Sequence, residues 1–460
     1  MSIDYMKPSL SARLPLYATI DDVTKGWVGV VGKGEKYLPK EPKEDDGSYK
    51  ARLATAIYTD YYNSAVDGIT GLIFKKPIKL NDDVNKQLQD DLINANAMGD
   101  DFAVVAGQMF NGALRKGIKF ALVDMPKGTA NNRADEIAQG IKPYITLIDV
   151  ENVTSWKTQL INGKIVLTQV KIKEFKDKDV ADNPYAVEQD TVYRVIELDE
   201  SGNAYYILYD DEGKEIESDY LNIDFIPLYA LNLDDIGFFE ANPPLYEVAM
   251  LNIRHYQKFT DSSYASHIAS VPFYFASGLQ TEESKGFVPS PNTFLSASQP
   301  DADIKIVSYD GKGIVTNDIL MKKLEKRMSE LGFAVGTEEK EMTATETNIT
   351  THQKQSKLNR YADSLKDTLE NILNAMSIMG GYDKNGGGTV EITADILSNP
   401  LTAQEFTAIV NAMANGQLSK ESGLEMIKTG DIKFREDWDI EAEINRIQED
   451  GLLIADEELS

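Results

Sequence analysis

Apolar residues recur along this chain at two spacings, and the switch between them divides it. Leu53, Ile57 and Tyr61 recur at helical spacing and predict one long helix over 49–74, loosened by Gly68 and Gly71 and stopped by Pro77. A second helix is predicted over 81–98, with Val84, Leu88, Leu92 and Ala95 on one stripe. A third covers 100–115, where Phe102, Val105, Met109 and Phe110 face a core. From Ile118 the period becomes two. Strands are predicted over 118–123, 144–150, 164–175, 192–198, 205–209 and 225–230, and residues 129–140 read as a surface loop with a short helical turn. Ser201-Gly202-Asn203 and Asp211-Glu212-Gly213 supply hairpin turns, because Gly and Asn accept positive φ.

Pro243 and Pro244 close this mixed region and open a helix over 243–269, where a missing N–H in the first turn costs nothing. Leu245, Val248 and Ala249 lie on one face and Tyr246, Met250 and Ile253 on another. A helix apolar on several faces is packed on several sides, as one wedged between neighbouring subunits would be. Residues 271–309 hold four prolines and strands at 273–276, 293–296 and 304–307. So short a piece has little core and is expected to pair with something else. The next helix, over 316–331, has a narrow apolar stripe of Leu320, Leu324, Met328 and Leu331. Its other faces carry Lys322, Lys323, Lys326 and Arg327, the densest basic patch of the chain. That patch reads either as a solvated face with i,i+4 pairs such as Asp318 with Lys322, or as positive charge lining a DNA path.

Residues 332–345 form a loop with Gly332, Gly336 and the run Glu338-Glu339-Lys340-Glu341. A capping signal at Thr343–Glu346 precedes a helix over 346–379, roughly 50 Å long at 1.5 Å per residue, buried at Leu358, Tyr361, Leu365, Ile372 and Met376. A glycine-rich hinge at 380–388 and a strand at 389–393 lead to three short helices. The first opens on the capping box Thr402-Ala403-Gln404-Glu405, turns Phe406, Ile409, Val410 and Met413 inward, and ends at Gly416. The second starts at Ser419 with Leu424 and Ile427 inward, and the last covers 437–449 before an acidic, frayed tail from Asp450. At the other end, Pro8, Pro15, Pro39 and Pro42 read as helix breakers, so residues 1–44 are expected to be an extended arm ending in Tyr37-Leu38-Pro39-Lys40. The run Gly26–Gly34 fails as a phosphate loop, with Trp27 where glycine is needed and Gly34 where Ser or Thr must follow the lysine.

The whole reads as α+β, with 460 residues, enough for two or three domains. The net charge of -27 argues against a module that grips DNA, whose affinity would come from Lys and Arg. It leaves room for a surface past which DNA slides. With no cysteine there is no disulfide or thiolate chemistry. Neither a signal peptide nor an 18-residue apolar run is present, so a soluble, reducing compartment and no membrane partner are expected. His255, His267 and His352 are not at metal-ligand spacing, and Asp301-Ala302-Asp303 lacks the rest of a calcium loop. No catalytic motif stands out, so no catalytic residue, metal or cofactor is assigned and the chain is expected not to be an enzyme.

Several segments together resemble a branch of tailed-bacteriophage portal proteins. They are Tyr37–Lys40, the helix end Gly68–Pro77, Asp149–Trp156, Pro244–Tyr256, Thr343–Glu346, and the capping box with Asn415-Gly416-Gln417-Leu418-Ser419. The resemblance covers nearly the whole chain, and the order of the segments carries it. It implies a portal-like fold: an N-terminal arm at 1–44, a wing at 45–242 and 346–385, a two-helix stem at 243–270 and 312–331, a β clip at 271–311, a tunnel loop at 332–345 and a helical crown at 386–460. It also implies a ring, usually a dodecamer, assembled in the host cytoplasm. In the virion such a ring sits at the capsid portal vertex and passes double-stranded DNA during genome packaging and ejection. The partners implied are the terminase motor, the major capsid and scaffold proteins, and head-tail adaptor proteins. Under that likeness Lys322, Lys323, Lys326 and Arg327 would contact passing phosphates, and Glu338, Glu339 and Glu341, with Lys340 among them, would face the bore. The alternatives are another ring-forming head or neck protein, or an unrecognised enzyme.

Overall fold

The computed structural model describes residues 3–126, 135, 139–180, 183–270, 273–277, 301, 303–307, 312–332, 344–382, 386–394, 403–429, 440 and 442–446. The class is α+β. The chain divides into two compact units, Met1–Thr70, Leu80–Thr337 and Ser364–Val390 in the first, and Gly71–Lys79, Glu338–Asp363 and Glu391–Ser460 in the second.

The N-terminal segment is helical rather than extended. Helices α1 (Pro8–Ser11), α2 (Leu14–Thr24) and α3 (Gly26–Val30) lead into a 3-10 turn over Val31–Lys36. Pro8 and Pro15 sit in first turns, where proline starts helices instead of breaking them. Gly29 lets α3 lie against α2, since a Cβ there would stand 1.9 Å from the Asp22 carbonyl oxygen. The glycines that mimic a phosphate loop thus serve helix packing.

Asp22 is buried, and its Oδ2 accepts hydrogen bonds from Lys36 Nζ at 2.6 Å and Tyr37 Oη at 2.8 Å. Burial pushes its pKa up, but those two bonds and the charges of Lys36 and Lys33 outweigh it, and the carboxyl titrates below its usual range. A carboxylate depressed on folding adds stability above its unfolded pKa, near about 4, and loses it as the pH falls through the folded value. Asp22→Asn is therefore expected to lower stability near neutral pH and to flatten the acid limb. Thermal unfolding of both proteins between about pH 2.5 and 7 checks this.

The predicted helix over 49–74 is two helices, α4 (Asp46–Ala54) and α5 (Tyr61–Ile73). Asp45 caps α4, accepting from the N–H groups of Gly47 and Ser48, and Asp60 accepts from Asn63 N at 3.0 Å to start α5. Ile57, which continued the helical spacing, lies in the break and is 47% exposed. The helix predicted over 81–98 shrinks to α6 (Lys86–Asp91) and a 3-10 turn, Leu92–Asn94. Residues before it form a turn, with Val84 N donating to Asn81 O at 3.1 Å: Asn81 N donates to Thr389 O at 3.0 Å, and Asp83 accepts from Thr389 N at 3.0 Å. Helix α7 (Phe102–Lys116) follows expectation, capped by Asp101 and buried at Phe102, Val105, Met109 and Phe110.

A three-stranded antiparallel sheet places β1 (Ile118–Asp124) between β2 (Tyr144–Ile148) and β8 (Leu228–Asn232). Between β2 and β8 in sequence comes an antiparallel meander of β3 (Val153–Ile161), β4 (Lys164–Val180), β5 (Asn183–Leu198), β6 (Ala204–Tyr209) and β7 (Glu215–Tyr220). β3 and β7 are not predicted from sequence, because Lys157–Ile161 and most of Glu215–Tyr220 are exposed and show no apolar alternation. Both sheets feed one core that includes Phe120, Trp156, Ile172, Ile196 and, from the N-terminal segment, Leu10 and Tyr17. Phe239 stands edge-on to Phe120 at 4.8 Å and Trp156 at 5.8 Å. β4 pairs with β3 no further than Ile172, and β5 pairs with β6 no earlier than Tyr193. Residues 173–180 and 183–192 therefore continue as a bare two-stranded ribbon.

Helix α8 (Tyr246–Ser270) leads to β9 (Phe273–Ser277), which pairs antiparallel with β10 (Asp303–Val307) ahead of α9 (Lys312–Leu331). Helix α10 (Ala344–Met379) has the buried side expected at Leu358, Tyr361, Leu365, Ile372 and Met376. Within the hinge predicted at 380–388, Gly387 and Gly388 are close-packed. A Cβ on Gly387 would meet the Asn374 backbone at 2.5 Å, and Gly388, at φ +69°, abuts Val84. The second unit contains the helical hairpin α11 (Ala403–Ala414) and α12 (Lys420–Thr429). Ser419 caps α12, accepting from Ser422 N at 3.1 Å. Ile409 and Ile427 are buried, whereas Phe406 and Val410, expected inward, are each 39% exposed. The strand predicted at 293–296, Thr343, Thr402, most of the helix predicted over 437–449 and the tail from Asp450 lie outside the described residues.

Candidate functional site

The element that stands out is the pair α8 and α9, which pack antiparallel with the β9–β10 ribbon joining their far ends. Burial falls off toward the ribbon on both helices. Among the described residues the last buried side chain of α8 is Ser262, and Ser266, His267 and Ser270 are exposed; on α9, Val315, Ile319 and Leu320 are exposed and burial starts at Met321. The two helices thus leave the rest of the first unit together for about 12 Å, at 1.5 Å per residue over roughly eight residues. The apolar stripe of α9 is shifted from that predicted: Met321 and Met328 are buried, and Leu320 is 43% exposed.

Polar groups tie the pair to the body. Asn252, fully buried on α8, accepts at Oδ1 from Tyr58 Oη at 3.0 Å and Tyr62 N at 2.9 Å, and its Nδ2 donates to Thr59 O at 2.8 Å. One amide thus joins three groups of the break between α4 and α5. Sequence reasoning passed over it, although a lone Asn between Val248, Ala249 and Tyr256 on an apolar face is the signal. Asn252→Ala leaves two buried donors, Tyr58 Oη and Tyr62 N, without partners, each costing about 1–3 kcal/mol. A loss of about 2 kcal/mol or more is expected, read as a lower midpoint in urea at unchanged slope.

Between the helices, His255 Nε2 meets Glu325 Oε1 at 3.0 Å. Phe259 stacks on the imidazole at 6.0 Å, and Tyr61 stands edge-on to it at 5.1 Å. Burial, with the nearby Glu325 carboxylate, pushes the Tyr61 hydroxyl up to about 12. Nearer the body, Nε and Nη2 of Arg327 both donate to Glu247 Oε1 at 3.1 Å, and its Nη1 lies 3.6 Å from Glu330 Oε2. Arg327 is thus occupied in bridging α9 to α8.

Lys322, Lys323 and Lys326 differ from it. All three are exposed and form no ion pair among the described residues, Asp318 with Lys322 included. At 100° per residue they span an arc of about 100°, opposite Met321 and Met328. Three ammonium groups on one exposed arc can meet phosphates as mobile point charges. Glu338, Glu339, Lys340 and Glu341 lie outside the described residues.

A cleft of about 490 Å³ beside α8 is lined by Glu41, Glu44, Ser48, Arg52, Asp261 and Tyr264. Its buried cation, Arg52, is not available to a ligand, because its donors are taken up by Glu44, the Pro39 carbonyl and Asp261. Among the described residues no cluster of His, Asp and Glu could hold a metal ion, and no helix is long and apolar enough to cross a membrane.

A family described as a domain of unknown function (DUF4055) matches residues 244–378, the stretch from the start of the helix pair almost to the end of α10. No match was found among curated proteins. Among solved structures, the chain is similar to a component of the virion of a native gene transfer agent particle, at 11% identity and a TM-score of 0.44, covering 88% of this chain and 98% of that one. It is also similar to components of the neck of that particle, empty (10% identity, TM-score 0.44, 88% and 99% covered) and native (10%, 0.43, 87% and 98%). At these values the functional reading rests on the chain's own residues.

Proposed function

We propose that the protein is a portal subunit. Copies of it close into a ring, a dodecamer by the resemblance of its sequence, at one vertex of a phage-type capsid. The ring is the channel for double-stranded DNA and the platform on which a terminase motor and later neck proteins dock. The observation that carries this reading is the helix pair capped by a β ribbon. It leaves the body with one arc of lysines that form no ion pair among the described residues, in a chain of net charge -27. Such a balance suits a conduit, since DNA held by many lysines in every subunit would not slide. A few mobile ammonium groups touch phosphates without fixing a register. The role is structural, with no catalytic step of its own.

The mass of the purified protein in solution tests the reading, followed by negative-stain images of the same peak. A species near twelve times 51.1 kDa with a central hole in end view is expected. A monomer or dimer at every protein concentration, with no rings in the presence of capsid and scaffold proteins, would overturn it.

A further inference from the structure

The bare ribbon of β4 and β5 has two unlike faces. Antiparallel partners share a face, so Phe175 with Thr191, Asp177 with Gln189, and Asp179 with Val187 lie on one side, and Tyr185 lies beyond them where the register is interrupted at the ribbon's tip. Gln189 Nε2 donates to Asp177 Oδ1 at 3.1 Å across that side. The opposite side carries Lys176, Lys178, Glu188 and Asp190, with Lys178 and Asp190 paired at 3.3 Å. The first side is the anomaly, with Phe175 53% and Val187 57% exposed, and the tip adds Tyr185, 95% exposed. A two-stranded ribbon is marginal in water by itself, and a row of large apolar side chains along it marks a contact surface.

The same unit holds a surface of matching chemistry. On α3, Trp27 is 49% and Val28 74% exposed. Lys25 and Lys33 flank them, both exposed; Lys25 has no ion pair among the described residues, and Lys33 lies 3.8 Å from Asp22. A half-exposed Trp beside a Val is the kind of anchor that dominates interfaces, and its lysine rim complements Asp177 and Asp179. Two other exposed apolar clusters lack that complementarity, and the cluster at the β3–β4 turn, Leu160, Ile161 and Ile165, has Lys157 and Lys164 beside it but no aromatic anchor. Ile93, Met98 and Val104 adjoin Asp100 and Asp101, and Val315, Ile319 and Leu320 surround Asp318.

We infer that the ribbon face with Phe175 and Val187, together with Tyr185 at its tip, docks in one copy on the Trp27–Val28 surface of α3 in the next copy, with Asp177 and Asp179 meeting Lys25 and Lys33. Two different patches in contact make a head-to-tail interface, which propagates from copy to copy and closes into a ring when the rotation allows. The inference rests on the ring reading and supplies it with a specific subunit contact.

The absence of cysteine makes the test direct. Val28→Cys and Val187→Cys are introduced together and singly into the full chain, at exposed positions where folding is not at stake. Under mild oxidation the double variant is expected to give a ladder of covalent multimers on a non-reducing gel, while each single variant stops at dimers. In parallel, Phe175→Ser, Tyr185→Ser and Val187→Ser combined are expected to weaken assembly at least tenfold in the concentration needed for rings, with an unchanged circular-dichroism spectrum. Wild-type rings together with no ladder and full assembly of the triple variant would overturn the docking contact, leave the ring reading intact and assign the ribbon to a partner outside the ring. No wild-type assembly and no ladder would overturn both.

Discussion

Charge reversal at Lys322 and Lys326 is expected to leave ring assembly intact and to abolish productive DNA passage. Neither lysine is engaged in an ion pair among the described residues, so Lys322→Glu with Lys326→Glu removes no structural contact. The pair lie one helical turn apart, on the arc facing away from buried Met321 and Met328. Reversal turns two attractive point charges per copy into two repulsive ones, repeated around the ring. Each phosphate that a lysine no longer neutralises lowers the slope of log affinity against log salt by about 0.9. Wild-type rings are thus expected to bind a short DNA duplex weakly and salt-dependently, and the variant rings not at all at about 50 mM salt. In heads assembled with the variant, genome-filled particles should fall by at least tenfold. Normal filled heads would remove the lysine arc from the mechanism. Arg327→Glu is the contrasting variant: it breaks the bridge to Glu247 and should loosen the helix pair itself, lowering the thermal midpoint as well as packaging.

The difference between Lys322 and Arg327 also shows what sequence could and could not tell. All four basic residues of α9 look alike as letters in a helix, and only the position of Glu247, 80 residues away, separates a clamp from a free charge. Long regular elements were legible: α7, α8, α9 and α10 declare themselves by apolar spacing, and the strands over 118–123 and 144–150 by period two. Short elements were not. The helical spacing of Leu53, Ile57 and Tyr61 runs straight through the break at 55–60, because what makes the break is Asn252 on a distant helix together with the cap Asp60. The prolines of the N-terminal segment suggested an arm, yet the burial of Leu10, Tyr17 and Ile20 makes it part of the body. Strands β3 and β7 hide because most of β7 and the outer half of β3 face solvent, where nothing demands alternation. The strands over 273–276 and 304–307 were legible, but they were expected to pair with something else and instead pair with each other, while the basic patch of α9 was marked by composition alone.

Replacing Arg52 by alanine is expected to be among the most destabilising single changes in the first unit. Its side chain is only 4% exposed, and that of Glu44 8%. Nε and Nη2 form a parallel pair of hydrogen bonds to the two Glu44 oxygens at 2.9 and 2.8 Å, Nη2 also reaches the Pro39 carbonyl at 2.8 Å, and Nη1 reaches Asp261 on α8 at 3.3 Å. One guanidinium therefore fastens the segment after the 3-10 turn to α4 and both to the middle of the helix pair. Truncation strands a partly buried carboxylate and the Pro39 carbonyl, a loss of about 1–3 kcal/mol. Lysine retains the charge without the fork and should recover only part of it. The Arg52→Ala, Glu44→Ala double variant should be more stable than Arg52→Ala alone, because the stranded charge goes with its partner. Acid provides a second reading. The hydrogen bonds from Arg52 hold the Glu44 carboxyl below its usual range, so its contribution is present above the unfolded value near about 4.3 and is lost as the pH falls through the folded one. In Arg52→Ala that contribution disappears at every pH, and the gap in unfolding free energy between wild type and variant should close as the solution is acidified. A constant gap down to about pH 3 would mean that packing of the arginine stem, not its charge, anchors α8.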